Sequence, residues 1–223
     1  MGAKKRKSMN VPESKVEISG FGARNYDLLL KFGSFGRYSR MLETAIAHIG
    51  IRPDDAILDL GCGTGHNDCL MAKYLSDAGK IVGLEIGEEM IEQFKRKCAG
   101  RFNVSLMRQR IEEALPFENE FDKAFISFVF HGFPDSEREK IARNVFKALK
   151  PGGEFFILDF NEFDIHAQTW WFRIVFLKGE CPLAHQYITV EWKKRLLGWG
   201  FDHFGDHFYF KKRIRLLKAV KAG

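Results

Sequence analysis

Ile57-Leu58-Asp59-Leu60-Gly61-Cys62-Gly63-Thr64-Gly65 decides how the rest of the chain is read. An apolar run from Ala56 to Leu60 spells a short buried strand that carries one acid, Asp59. It breaks into three glycines at alternate positions and then into a helix-forming stretch. Glycines accept backbone torsions that other residues avoid, and they let a ligand approach the main chain closely. A ligand is therefore expected over this turn, at the carboxyl end of the strand.

Working outward, strands and helices alternate. Helices are predicted over 24–33, 37–49, 66–77, 88–98 and 135–148, and strands over Ala56–Leu60, Ile81–Glu85, Val104–Met107, Phe121–Phe130 and Glu154–Phe160. Parallel strands need crossover connections, so this order predicts a parallel sheet with helices on both faces. Residues 168–178 and 184–198 read as two more helices. A strand from Gly200-Phe201 and another within His207–Val220 leave no room for a helix between them, which predicts an antiparallel hairpin. Phe208, Phe210, Ile214 and Leu216 alternate with polar residues there, as in an outer strand. The fold class is thus α/β, a doubly wound, mostly parallel sheet with a C-terminal antiparallel hairpin.

The 223 residues are 45% hydrophobic and 29% charged, which excludes a disordered chain and favours one domain. Four scattered cysteines form no CxxC pair and read as free thiols of a cytoplasmic protein. No metal-ligand spacing stands out. No apolar stretch approaches the ~20 residues that span a bilayer. The net charge is +6, but ten of the 35 basic residues lie in 1–8 and 211–223, where there is no acid. The body is mildly acidic, which argues against a DNA-binding face. The 22 phenylalanines suit an apolar substrate cavity as well as a core.

The glycine pattern discriminates between ligands. Dinucleotide sites want G-x-G-x-x-G, and His66 stands where the third glycine belongs. Asp59, two residues before Gly61, would repel a pyrophosphate but attract a ligand bearing an ammonium and a sulfonium group. This disfavours a nicotinamide oxidoreductase.

Asp59-Leu-Gly-Cys-Gly-Thr-Gly65 resembles the signature of class I S-adenosylmethionine-dependent methyltransferases. The resemblance covers about residues 20–160. Ile81-Val-Gly-Leu-Glu85 is similar to the family's second strand, whose terminal acid holds the ribose hydroxyls. Ile111-Glu-Glu-Ala-Leu-Pro-Phe117 with Phe121-Asp122 resembles the adenine loop and the fourth strand, and Leu149-Lys-Pro-Gly-Gly153 the turn before the fifth. Asn25-Tyr26-Asp27 resembles the leading helix of the ubiquinone/menaquinone and phospholipid branches, which closes over the cofactor. The resemblance implies seven strands in the order 3-2-1-4-5-7-6 and S-adenosyl-L-methionine as cofactor. It implies cofactor contacts from Tyr26, Asp59, Gly61, Cys62, Gly63, Gly65, Glu85, Ile86, Met90, Ile111, Glu112, Ser127 and Phe128. Where the family's adenine loop carries an Asp this chain has Ile111, so Glu112 or the backbone of both residues takes that place. Cys62 reads as a small filler. The implied layout is a tail over 1–20 and one methyltransferase domain over 21–223. That domain divides into opening helices at 21–50, a cofactor-binding core at 51–160, a substrate cover at 161–200 and a hairpin at 201–223.

Methyl transfer needs alignment, exclusion of water and, for some acceptors, a base. His131, after Phe128-Val-Phe130, is the leading catalytic candidate. Asp159, Glu162, Asp164 and His166 are weaker ones. Ser127-Phe-Val-Phe130 lacks the Asn-Pro-Pro-Tyr type sequence of enzymes that methylate base or glutamine amines. Trp170-Trp-Phe-Arg-Ile-Val-Phe-Leu177 with Cys181-Pro182 and His185 suits a cover over an aromatic acceptor. The expectation is a methyltransferase for a small lipophilic acceptor, of quinone or lipid-precursor type, with peripheral membrane contact and a monomeric or homodimeric state. The alternatives are a protein or RNA methyltransferase that docks through its basic ends, and a non-catalytic protein that binds the cofactor.

Overall fold

The computed structural model describes residues 37–223. The basic tail, the helix expected over 24–33 and Tyr26 lie outside those residues. In chain order the elements are α1 (Arg37–His48), β1 (Ala56–Leu60), α2 (His66–Met71), β2 (Lys80–Glu85), α3 (Glu88–Lys97), β3 (Val104–Arg108) and β4 (Phe121–Ser127). A 3₁₀ turn (Phe130–Gly132) follows, then α4 (Asp135–Ala148), β5 (Leu149–Phe160), α5 (Trp170–Gly179), α6 (Pro182–Tyr187), α7 (Trp192–Gly198), β6 (Phe201–Tyr209) and β7 (Ile214–Lys221).

The seven strands lie in the order β3-β2-β1-β4-β5-β7-β6. The first five are mutually parallel, and β7 runs antiparallel to both β5 and β6. All five β1 residues are buried, because helices cover both faces of the central strands. On one face Leu58, Leu60 and Ile126 pack with Ile141 and Val145 of α4 and Trp192 and Leu196 of α7. On the other, Ile57, Phe125 and Phe156 pack with Met41, Leu42 and Ile46 of α1 and Leu70 and Met71 of α2.

Several boundaries differ from the sequence expectation, each for a local reason. The fourth strand stops at Ser127 because Phe128 takes a left-handed backbone (φ 53°). The helix expected over 66–77 ends at Met71, and Ser76 then turns back to bond the Pro53 carbonyl. The helix expected over 184–198 is two helices parted by Ile188-Thr-Val-Glu191. That bend stacks Trp192 on Tyr187 (ring centroids 4.4 Å apart), while the indole N–H donates to the Tyr187 carbonyl.

The last strand is internal rather than outer: β7 lies between β5 and β6. Its basic residues are tied down accordingly. Arg215 is buried against Glu162 (2.9 Å), Lys218 pairs with Glu154 (3.1 Å), and Lys221 donates to the Leu149 carbonyl (2.7 Å). The C-terminal charge is therefore strand-bound, and Lys211 and Lys212 of the β6–β7 turn stay exposed. Among the described residues no helix is long and apolar enough to cross a membrane.

Candidate active site

The glycine turn crosses from β1 to the end of β2, where the Gly61 and Cys62 N–H groups both donate to the Leu84 carbonyl (2.9 and 3.0 Å). Gly61, Gly63 and Gly65 all have left-handed φ. Two of them show why glycine is needed. A Cβ at Gly65 would lie 2.7 Å from the Phe94 ring and 2.8 Å from Cys98 Sγ, so the turn must be bare to pack on α3. At Gly63 a Cβ would meet nothing within 4 Å, so that position opens to a ligand.

Glu85 closes the turn. Its Oε2 accepts the Gly63 N–H (3.0 Å), and its Oε1 accepts the N–H groups of Ile86 and Gly87 (2.8 Å each). A carboxylate offers about four lone-pair positions. Three are used here, so Glu85 is fixed in place and Oε2 retains one for a hydroxyl donor. Ile86 and Gly87 lead into α3, where Met90 is buried on the inner face.

Beneath the turn, Asp59 is 1% exposed and Asp68, on α2, is fully buried. Among the described residues no donor reaches Asp59 Oδ2 or either oxygen of Asp68. Burial first, then the neighbouring charge of Asp68 and of Glu85, push Asp59 well above the usual carboxylate range. Burial likewise pushes Asp68 up to about 7. The two groups lie against one another, and two anions cannot share so dry a site. One proton stays on the pair at neutral pH. Burial, then Asp68, Asp59 and Glu85, also push the Cys62 thiol well up, so it stays protonated.

Along the same carboxyl edge of the sheet, β4 pairs with β5 through Ser127 and Leu158. That register sets His131 beside Asp159. The His131 N–H donates to Asp159 Oδ2 (3.0 Å), and ring Nδ1 lies 2.7 Å from Oδ1. Nε2 faces Glu180, 3.8 Å away at the end of α5. Burial lowers the ring's proton affinity, but the charge and hydrogen bond of Asp159, with Glu180 behind, outweigh it and the pKa is raised.

Aromatic groups wall this end. Phe160 lies 5.1 Å from the His131 ring, and Tyr187 6.3 Å. Phe128, strained at φ 53°, sits between Tyr38 and Phe160. Such strain concentrates at functional positions.

Five expected residues lie elsewhere or do other work. Ile111 is core, and its carbonyl takes the Asn144 side-chain N–H (2.9 Å). Glu112 pairs with Arg110 (3.1 Å) on the adjoining loop. Glu162 holds Arg215 and the Trp192 N–H and stands apart from the dyad. Asp164 and His166 are exposed and bond each other through the His166 N–H.

Two residues were not anticipated. Asp68 is brought to Asp59 only by packing. Arg138 of α4 is 1% exposed and donates to the carbonyls of Phe130 (3.1 Å), His131 (2.8 Å) and Leu183 (3.1 Å). Its guanidinium stacks on Tyr187 and Trp192, fixing the turn that carries His131.

The donor set fits S-adenosyl-L-methionine. Among the described residues no donor meets the inner oxygens of the buried acid pair, the fixed Glu85 carboxylate keeps an acceptor position, and Gly63 has open space beside it. No group of three or more metal-ligating side chains occurs among the described residues.

Residues 57–153 match the model of a methyltransferase domain family. The ubiquinone/menaquinone biosynthesis C-methyltransferase of Yersinia enterocolitica is 34% identical over 151 residues, 66% of this chain and 59% of that protein. The demethylmenaquinone methyltransferase of Symbiobacterium thermophilum is 31% identical over 140 residues, 61% of this chain and 55% of that one. The chain thus spans well under two thirds of the length of these relatives.

Among solved structures, a SAM-dependent methyltransferase from Aquifex aeolicus superposes with TM-score 0.61 at 22% identity, covering 80% of this chain and 88% of that one. The [4+2]-cyclase SpnF gives TM-score 0.70 at 14% identity, covering 97% and 99%. These two likenesses speak for the fold. The glycine turn, the strand order and the matched domain together support a class I S-adenosylmethionine-dependent methyltransferase, the family these relatives resemble.

Proposed function

We propose that this chain transfers a methyl group from S-adenosyl-L-methionine to a small lipophilic aromatic acceptor of quinone type, with His131 as general base. The observation that carries the reading is the His131–Asp159 pair, walled by Phe128, Phe160 and Tyr187 at the carboxyl ends of β4 and β5. The curated relatives act on quinone precursors by name, which supports carbon methylation of such a ring.

Asp59 and Asp68 would hold the cofactor's ammonium, Glu85 its ribose, and Gly61, Gly63 and Gly65 would admit its backbone-hugging portion. Ile86, Met90, Ser127 and Phe128 would line the crevice. When bound, the cofactor supplies an activated methyl on positively charged sulfur. Nδ1–H would donate a hydrogen bond to Asp159, which leaves Nε2 unprotonated to act as the base. Nε2 would take the proton of a ring hydroxyl and so place electron density on the neighbouring ring carbon for methylation, and the hydrogen displaced from that carbon would return to the ring oxygen. Glu180, partly exposed beside Nε2, gives that proton an outlet. Four unpaired cysteines suit a cytoplasmic setting.

A second reading rests on the superposition with a cyclase, which shows that this architecture also serves reactions other than methyl transfer. An RNA-docking arm is disfavoured, because Arg215, Lys218 and Lys221 are engaged within the sheet.

The test is incubation with methyl-labelled cofactor, a short-chain demethylated hydroquinone in detergent, and separately RNA and protein fractions. Label is expected in the quinone alone. The His131→Asn variant should slow turnover by about 10²–10⁴-fold while binding cofactor as before. Label in RNA or protein, or an unslowed variant, would overturn the assignment.

A further inference from the structure

α5 is a helix turned partly inside out. Phe176 is buried, yet Trp170 is 73% exposed, Trp171 51%, Ile174 48%, Val175 63% and Leu177 44%. Trp170, Trp171, Ile174 and Val175 recur at i, i+1, i+4 and i+5, so they form one continuous face. Exposed apolar patches of this kind mark interaction sites. The helix holds Arg173 and Lys178 and no acid.

Beside it lies the β6–β7 turn. The Arg213 guanidinium stacks on Phe172 at 3.9 Å and comes within 5.9 Å of the Trp171 ring. Phe210, Lys211 and Lys212 are left-handed in succession (φ 47°, 57° and 62°). The turn is nevertheless held: the Arg213 N–H donates to the Tyr209 carbonyl (3.1 Å) and the Asn161 amide to the Lys212 carbonyl (2.9 Å). A strained, fixed turn thus presents Lys211 and Lys212 to solvent against an aromatic helix. Of the carboxylates at the two ends of α5, Asp164 is turned to the His166 N–H and Glu180 to His131.

We infer that α5 and the Lys211–Arg213 turn together form a docking face for a bilayer with anionic headgroups. Indole rings favour the headgroup level, aliphatic side chains the acyl boundary, and lysines the phosphate plane. Trp170 and Trp171, then Ile174, Val175 and Leu177, and the flanking Lys178, Lys211 and Lys212 supply these three layers on one side of the molecule. A protein partner of matching shape would not require the basic rim; an anionic surface does. The face also leads inward. Phe176 beneath it packs on Phe160 (5.1 Å), and Phe160 lies against His131. An acceptor dissolved in the bilayer would therefore arrive at the dyad from the docked side. This last point rests on the lipophilic-acceptor reading; the docking face itself does not.

The experiment is co-sedimentation of the full chain with vesicles of phosphatidylcholine alone and of equal parts phosphatidylcholine and phosphatidylglycerol. The wild type should pellet with the mixed vesicles and remain in solution with the neutral ones. The double variants Trp170→Ser/Trp171→Ser and Lys211→Glu/Lys212→Glu should each lose at least about tenfold in vesicle affinity, with S-adenosylhomocysteine binding unchanged as the check on folding. A wild type that ignores mixed vesicles, or variants that pellet equally, overturn the inference. So does a wild-type dimer that the tryptophan variant converts to monomer. Vesicle binding without quinone methylation would sink only the proposed function. Methylation in detergent without vesicle binding would sink only the docking face.

Discussion

Asp59 and Asp68 are two buried acids that meet no cation among the described residues, an arrangement that costs stability. In the folded chain Asp68 keeps its proton up to about pH 7, whereas an unfolded aspartate loses it near 3.8. The folded state therefore binds more protons between those values, and stability falls as pH rises through that window. Above about pH 7 the loss is complete. Asp68→Asn cannot ionise and escapes it. Its melting temperature relative to wild type should be higher at pH 8 than at pH 5, and an equal difference at both would contradict the buried-pair account. The cofactor's ammonium would supply the missing charge. Asp59 was legible in the sequence because it precedes the glycines. Asp68 was not, since a polar residue in the first turn of a helix ordinarily faces water.

His131 was legible only by its place after the fourth strand. Its partnership with Asp159 comes from the β4–β5 register, which no local pattern encodes. Arg138 is harder still. It reads as one more charge in Asp135-Ser-Glu-Arg-Glu-Lys140, yet α4 buries it so that it bridges the 3₁₀ turn and α6. Removing it leaves three carbonyls without their donor. Arg138→Met should destabilise the protein by about 3 kcal/mol in urea unfolding, and a loss below about 0.5 kcal/mol would show the clamp to be incidental. Helices and strands with strong periodicity were readable, among them β1, α3 and α4. The division of 184–198 was not, because the bend at Ile188–Glu191 answers to the stacking of Trp192 on Tyr187, a tertiary demand.

Seven strands in this order place every acid of the cofactor site at one edge of the sheet and the His131–Asp159 pair close by, at the ends of β4 and β5. The architecture was legible because parallel strands, crossover helices and a closing hairpin each leave a pattern in the chain. The role of the basic C-terminus was not: alternation along β7 looked like an outer strand until its lysines and arginine were found paired across neighbouring strands. All of the functional reading depends on the glycine turn being a receptor for the methyl donor. Calorimetric titration of S-adenosylhomocysteine into the wild type and Gly63→Val tests this most directly. The account predicts saturable binding at one site in the wild type, weakened at least about tenfold by side-chain carbons in the open crevice. Equal affinity in both proteins, or no binding in the wild type, would contradict it.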